Sequence, residues 1–381
     1  MWTFQLPTKI TFGRGCVASL SDMPEIAGRR VAVVTDQVLA SLPAVQTLIE
    51  QLAPVAIYKD VRPNPTVDNV DTLARLLRNT QAEVITAIGG GSSLDCAKAA
   101  SFLATTGDAS IRAYHSGCCA GDTEGKSFTR RRIAVIAVPT TAGTGSEVTP
   151  IAVIDDEEKN VKAPMTSPLF YPVCAVVDPD LTLSVPLAVT AATAFDALSH
   201  AIEGYWSRNH QPICDALAKE AARTIFENLD KVFDNLADPS ARERISYAAL
   251  LAGIAFQMPK NAIMHACSYP LSNRAHLAHG AACAFTMEAS IRLNTPHMNG
   301  RMEEFAVACG FATDCCAGGA VDLMIEKITM LKRRGGLPMT LADAGIDADM
   351  VELLISESFH PVIKNNPKEV TPDDLRKIYE E

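Results

Sequence analysis

Apolar residues follow two successive textures along this chain, and the change falls near Leu181–Pro186. Before it, short β-branched runs alternate with helical or loop stretches: Arg30–Thr35, Val55–Tyr58, Val84–Ile88, Ile133–Val138 and Ala175–Val177. Continuous apolar runs of this length, separated by helices, predict a parallel sheet covered on both faces. From Ala188 onward the spacing is helical, in Ala192–Tyr205, Ile213–Asn228, Ala241–Phe256, Met302–Ala308 and Val321–Arg334. The expectation is an α/β domain over residues 1–182 and an all-α domain over residues 183–381. No repeat or low-complexity linker intervenes, so the two should be closely apposed, with the ligand site in the cleft between them.

Composition narrows the function. At 381 residues the chain suits two domains, and 48% hydrophobic with 20% charged residues is ordinary for a soluble protein. A net charge of −10 offers no field to gather phosphates, which argues against a nucleic-acid partner. The run Arg130-Arg131-Arg132 reads as a solvated approach to the strand that follows. No apolar stretch is long enough to span a membrane, and residues 1–12 lack the order of a secretory signal. The eleven cysteines include the adjacent pairs Cys118-Cys119 and Cys315-Cys316 but no CxxC, which suits reduced thiols in a cytoplasm.

Two small-residue segments carry candidate chemistry in the first half. Val84–Ile88 runs into Gly89-Gly90-Gly91-Ser92 and then a helical stretch. Backbone N–H groups at such a turn can cradle a pyrophosphate, helped by the helix N-terminus, although a tight turn alone also explains the glycines. Ile133–Val138 runs into Pro139-Thr140-Thr141-Ala142-Gly143-Thr144-Gly145-Ser146-Glu147, where hydroxyls and glycines are poor core but good ligand contacts. Asp36, after the first strand, can accept from an adenosine ribose and would repel a 2′-phosphate, favouring NAD over NADP; it is equally a helix N-cap.

In the second half, Asp196 and His200 are four apart on a predicted helix and so share a face. His265 and His279 add two more of the eight histidines, with His276 a competitor for His279. Gly280 would let backbone pack close to such a site. Three imidazoles and a carboxylate suit Fe²⁺ or Zn²⁺ better than Mg²⁺ or Ca²⁺.

The ordered motifs resemble the iron-dependent (group III) alcohol dehydrogenase family over essentially the whole chain. They are Phe12-Gly13-Arg14-Gly15, Pro63-Asn64-Pro65-Thr66, Gly89 to Ser92 with Asp95 and Lys98, Pro139 to Glu147, Asp178-Pro179, Phe195 to Glu203, His265 to Gly280, and Asn365-Asn366-Pro367. The resemblance implies the dehydroquinate synthase-like fold, a homodimer, and reversible hydride transfer between NAD and a small alcohol or aldehyde. It implies metal ligands Asp196, His200, His265 and His279. It also implies nucleotide contacts from Asp36, Gly90, Gly91, Ser92, Asp95, Thr140, Thr141, Thr144 and Lys162.

The chain departs from the family pattern at His265-Ala266-Cys267-Ser268-Tyr269-Pro270-Leu271-Ser272, where the family usually carries a second histidine in place of Tyr269. A phenol can donate or relay a proton, but its ordinary pKa is roughly 10 rather than 6.5. Together with Glu203-Gly204-Tyr205-Trp206-Ser207 and Lys260, this looks like the branch containing phosphonoacetaldehyde reductases. Lys260 and Arg274 would then meet an anionic group on the aldehyde, or else are surface charges. Phe256 either lines the pocket or packs in the core. Two rivals are a metal- and NAD-using lyase of the dehydroquinate synthase type and a non-catalytic NAD-binding assembly protein.

Overall fold

The structure, a computed structural model, describes residues 2–115, 125–128, 131–159, 161–311 and 319–380. Arg130 of the basic run and both adjacent cysteine pairs lie outside these residues. The chain forms two compact units, one of residues 5–141 and 146–182, the other of residues 183–381 with the short segments 1–4 and 142–145.

The first unit is α/β. Its strands are β1 (Lys9–Phe12), β2 (Val31–Val34), β3 (Ala56–Tyr58), β4 (Val84–Gly89), β5 (Ala134–Pro139), β6 (Ile151–Asp156), β7 (Val161–Thr166) and β8 (Cys174–Val177). Its helices are α1 (Gln37–Ala40), α2 (Pro43–Leu52), α3 (Val67–Thr80) and α4 (Gly91–Leu103). Six strands make a parallel sheet in the order β1-β8-β5-β4-β2-β3. Alternate residues of one strand face opposite sides, and both sides are buried. Ala32, Val34, Ile85 and Ala87 join one core, while Val31, Val33, Val84 and Ile88 join the other. All five strands expected from the apolar runs are present. The antiparallel pair β6–β7 was not foreseen: the solvent side of β6 is only half-buried and its run ends in two aspartates, so no continuous apolar signal marks it. Within the basic run, Arg131 is exposed and Arg132 donates to the Tyr171 carbonyl.

The sheet positions the glycine turn. β3 lies on one side of β2 and β4 on the other, so the strand order reverses between β2 and β4, and ligands of open α/β sheets sit in the crevice at such a reversal. Asp36 follows β2 and Gly90 follows β4. Behind the turn lies a buried polar tie. The Lys98 ammonium, on α4, donates to the Ser146 hydroxyl (2.6 Å) and the Ile151 carbonyl (2.9 Å). Asp95 accepts from Ser146 Oγ (2.5 Å) and the Val153 amide (2.9 Å). Burial lowers the Lys98 ammonium to about 8.

The second unit is helical: α5 (Leu187–Trp206), α6 (Pro212–Asp234), α7 (Pro239–Phe256), α8 (Ile263–Arg274), α9 (His279–Phe285), α10 (Met287–Asn294), α11 (Arg301–Ala308), α12 (Ala320–Arg334), α13 (Ala348–Glu357) and α14 (Pro372–Glu380). One core runs through it, drawing on α5, α6, α7, α8 and α12. The fold class is therefore the one the two textures predict. α8 escaped the helical pattern because it is buried nearly all round and holds Pro270, which leaves no amphipathic stripe to read. No helix among the described residues is long and apolar enough to cross a membrane.

Glu147, beside this tie, gives a pH test. Burial pushes its carboxyl from 4.5 up to about 7, against the pull of Lys98. The folded chain thus holds an extra proton between these values. The stability that proton confers is complete below the unfolded value and is lost as pH rises through the folded one. Relative to Glu147→Gln, the wild-type protein should lose up to about 3 kcal/mol across that window, seen by thermal denaturation of both at each pH. Parallel stability curves for the two proteins would contradict it.

Candidate metal centre and nucleotide turn

The metal centre is assembled inside the helical unit from α5, α8 and α9. Asp196, His200 and Glu203 fall at i, i+4 and i+7 on α5, so one helix face carries all three. Asp196 Oδ1 lies 3.8 Å from His200 Nε2, 3.7 Å from His265 Nε2 and 3.6 Å from His279 Nε2. Ligands held about 2.1 Å from one tetrahedral ion would lie about 3.4 Å apart, so this spacing is that of a coordination shell. His276 is exposed and has no part in the cluster, which decides the alternative in favour of His279. Gly280 is required at this point: a Cβ there would stand 1.9 Å from the Ala192 carbonyl oxygen and 3.0 Å from Asp196 Cβ.

The protons on these groups point the same way. Glu203, buried without exposure, accepts from His265 Nδ1 at 2.6 Å and from the Met264 amide at 2.6 Å. The Ser268 hydroxyl donates to the His265 carbonyl and so receives the Nδ1–H of His279, 3.4 Å away. Both imidazoles therefore turn a bare Nε2 toward Asp196. His265 Nε2 and His200 Nε2 are only 3.1 Å apart, a distance two lone pairs tolerate only with a proton or cation between them. Asp196 Oδ1 is buried without a hydrogen-bond partner. Burial pushes its carboxyl up to about 6, and pushes His200 well below its ordinary value, aided by His265 and His279. A buried carboxylate oxygen on which three imidazole Nε2 atoms converge fits a divalent cation.

Around this centre, Phe256 is buried and stacks on His200, with centroids 4.0 Å apart and planes at 9°. It thus serves core and site together. His279 is the most exposed of the four, its side chain 33% accessible, so the centre opens on that side. Tyr269 lies there, 6.4 Å from the His279 ring centroid, and touches His360 on its far side at 4.6 Å. Burial lowers His360 to about 4, leaving it neutral. Lys260 occupies a left-handed turn (φ 68°) between α7 and α8, strained for a residue with a Cβ. It is half-buried, burial lowers its ammonium, and no carboxylate among the described residues pairs with it. Arg274 instead forms an ion pair with Glu357 through both Nε and Nη2.

The nucleotide turn is built inside the α/β unit. Gly90 precedes α4, whose first turn carries no acidic residue and no side-chain cap, leaving its amides for an anion. A Cβ on Gly89 would meet Ser93 Oγ at 2.5 Å, so the turn closes only with glycine. Thr140 donates its amide to the Gly89 carbonyl, and Thr141 Oγ1 stands 3.3 Å from where a Gly90 Cβ would be. Ser92 accepts from the Asn64 amide, and Lys162 reaches Asn64 Oδ1 at 3.4 Å. Asp36 caps α1, accepting from the Leu39 amide at 2.9 Å. Asp95 spends both oxygens on the polar tie described above. Thr144 belongs to the segment that packs with the helical unit.

Two functional neighbours were missed from sequence. Glu203 was legible, because the i+7 position completes the Asp196–His200 face. Cys283 carries the weaker signal of standing four residues after His279 on one helix, and His360 carries no spacing signal that ties it to this centre.

Comparison with known families decides the class. Residues 7–179 match the model of the iron-containing alcohol dehydrogenases, and residues 190–381 match that of the C-terminal domain of the same family. The chain belongs to the iron-containing alcohol dehydrogenase family. Members of that family are oxidoreductases, which sets aside the lyase and the silent assembly protein. The chain is 30% identical to 1-propanol dehydrogenase of Salmonella typhimurium, over 100% of both chains. It is 30% identical to the NAD-dependent methanol dehydrogenase of Bacillus methanolicus, over 99% of each. Among solved structures, the sulfoacetaldehyde reductase of Bifidobacterium kashiwanohense, in complex with NAD⁺, superimposes with a TM-score of 0.91 at 38% identity, covering 100% of this chain and 98% of that one. A 1,3-propanediol oxidoreductase gives a TM-score of 0.92 at 30% identity, covering 100% and 99%.

Glu203 should govern metal retention in this family member. In Glu203→Gln the amide still fills the space, but an N–H turned toward His265 forces Nδ1 to accept and Nε2 to carry the proton. Metal affinity, measured by chelator competition, should fall roughly 10–100-fold. Unchanged affinity would leave Glu203 a packing residue only.

Proposed function

We propose that this iron-containing alcohol dehydrogenase interconverts small aldehydes bearing an anionic group with the corresponding alcohols, using NAD(H). The carrying observation is the convergence of the Nε2 atoms of His200, His265 and His279 on an orphaned Asp196 oxygen, an arrangement that fits one divalent ion, Fe²⁺ with Zn²⁺ as substitute. Bound there, the metal supplies Lewis acidity toward the substrate oxygen, and NAD(H) supplies the hydride.

The chain's own residues have distinct tasks in this reading. Glu203 fixes the tautomer of His265, and Phe256 holds the plane of His200. Tyr269 keeps its proton at neutral pH, because burial and nearby negative groups push its phenol well above the usual range. It is a hydrogen-bond donor at the open side of the centre rather than a base. Gly90, Gly91 and Ser92 offer amides to the pyrophosphate, with Thr140, Thr141 and Lys162 beside them, Asp95 bracing the turn, and Asp36 at the ribose. Lys260 supplies the positive charge for the substrate's anionic group. A half-buried cation without a counterion is costly alone and is relieved by an anion. The likeness to a sulfoacetaldehyde reductase supports this substrate class. Free thiols at Cys16, Cys96, Cys174, Cys214, Cys267, Cys283 and Cys309 support a reducing, cytoplasmic setting, and family likeness supports a homodimer.

A general short-chain alcohol dehydrogenase is the second reading, favoured by the named propanol and methanol dehydrogenases. NADH oxidation by the Fe²⁺-loaded protein with sulfoacetaldehyde, phosphonoacetaldehyde, succinic semialdehyde and propionaldehyde separates the two. The anionic substrates should be preferred, and Lys260→Met should cost them roughly 10–100-fold in kcat/KM while sparing propionaldehyde. Equal loss on all four substrates, or no preference in the wild-type protein, would favour the general enzyme.

A further inference from the structure

Cys283 stands one turn beyond His279 on α9, at i+4, and so shares the face that meets the metal centre. It is buried without exposure and is a free thiol. Asp196, His265, His279 and Cys283 each offer a donor atom, and all of these atoms lie within 4.8 Å of one another. A buried cysteine often serves as a small apolar residue, and its neighbours Ala281, Ala282 and Ala284 fit that use. Packing alone does not require the sulfur to join the donor atoms of the centre, among which Asp196 Oδ1 is buried and unpartnered.

We propose that Cys283 is a fifth protein donor to the metal, binding as thiolate beside the four oxygen and nitrogen ligands. This rests on the reading that the Asp–His cluster holds the ion. When the metal enters, the S–H bond breaks, one proton passes to solvent and a metal–sulfur bond forms, with no change of oxidation state. Five donors remain within the coordination numbers of Zn²⁺ and Co²⁺. A soft thiolate raises the preference of the centre for Zn²⁺ over Fe²⁺ beyond what imidazole and carboxylate give. Cys283 thereby tunes which metal the protein keeps.

The test is the absorption spectrum of the full-length protein loaded with Co²⁺. Visible ligand-field bands report a bound ion, and a near-ultraviolet sulfur-to-cobalt charge-transfer band reports the thiolate. Wild-type protein should show both. Cys283→Ser and Cys283→Ala should bind the same amount of cobalt, keep the visible bands and lose the charge-transfer band. Cys283→Ala should also weaken zinc binding at least ~10-fold. Ligand-field bands without charge transfer in the wild type, or a charge-transfer band that survives Cys283→Ser, would overturn the role of Cys283 alone. Failure to bind cobalt at all would overturn the metal-centre reading and this proposal with it.

Discussion

A carboxylate held away from water among converging imidazoles organises the helical half of this protein. Asp196 is buried, one of its oxygens has no hydrogen-bond donor, and three Nε2 atoms stand within 3.8 Å of that oxygen. Burying an uncompensated charge costs several kcal/mol, and protonation is the usual escape. Here the proton inventory leaves another route, because Glu203 and Ser268 take up the N–H groups of His265 and His279 and leave bare nitrogens facing inward. A divalent cation satisfies all of these groups at once. The close approach of α9 to α5 at Gly280, and the stacking of Phe256 on His200, follow from the need to bring three helices to one point.

Much of this was legible in the sequence, and the reasons differ by region. The five apolar strand runs could be read because a parallel strand buried on both faces shows no polar interruption. The pair β6–β7 could not, since half its residues face outward and its turn is acidic. The Asp196–His200 spacing gives one helix face directly, but His265 and His279 come from helices whose contact with α5 is tertiary, so they stood as candidates among few histidines until the family resemblance linked them. Cys283 follows His279 by one helical turn, whereas His360 is close to the centre through packing alone. Asp36 illustrates a different limit. It caps α1, as its residue type suggests, and stands at the strand-order reversal where a ribose would lie. One residue type in one place serves both readings.

Against the family pattern, this chain carries residues of its own around the candidate centre. Tyr269 replaces an imidazole at the open side of the centre with a group that holds its proton, and Lys260, which no carboxylate among the described residues pairs, sits in a strained turn next to α8. Strained backbone of this kind persists where surrounding structure imposes it, and the turn is tied down by Ser207 on the Pro259 carbonyl and Asn365 on the Asn261 carbonyl. Arg274, which the sequence offered beside Lys260 for an anionic group, is instead paired with Glu357.

The central claim is that Asp196 and the three imidazoles hold one catalytic ion, and iron content against turnover tests it most directly. Wild-type protein purified anaerobically with Fe²⁺ should retain one iron per chain and oxidise NADH with aldehyde, whereas His265→Ala should fold, lose the iron and lose turnover together. Iron retention with normal turnover in His265→Ala would contradict the account.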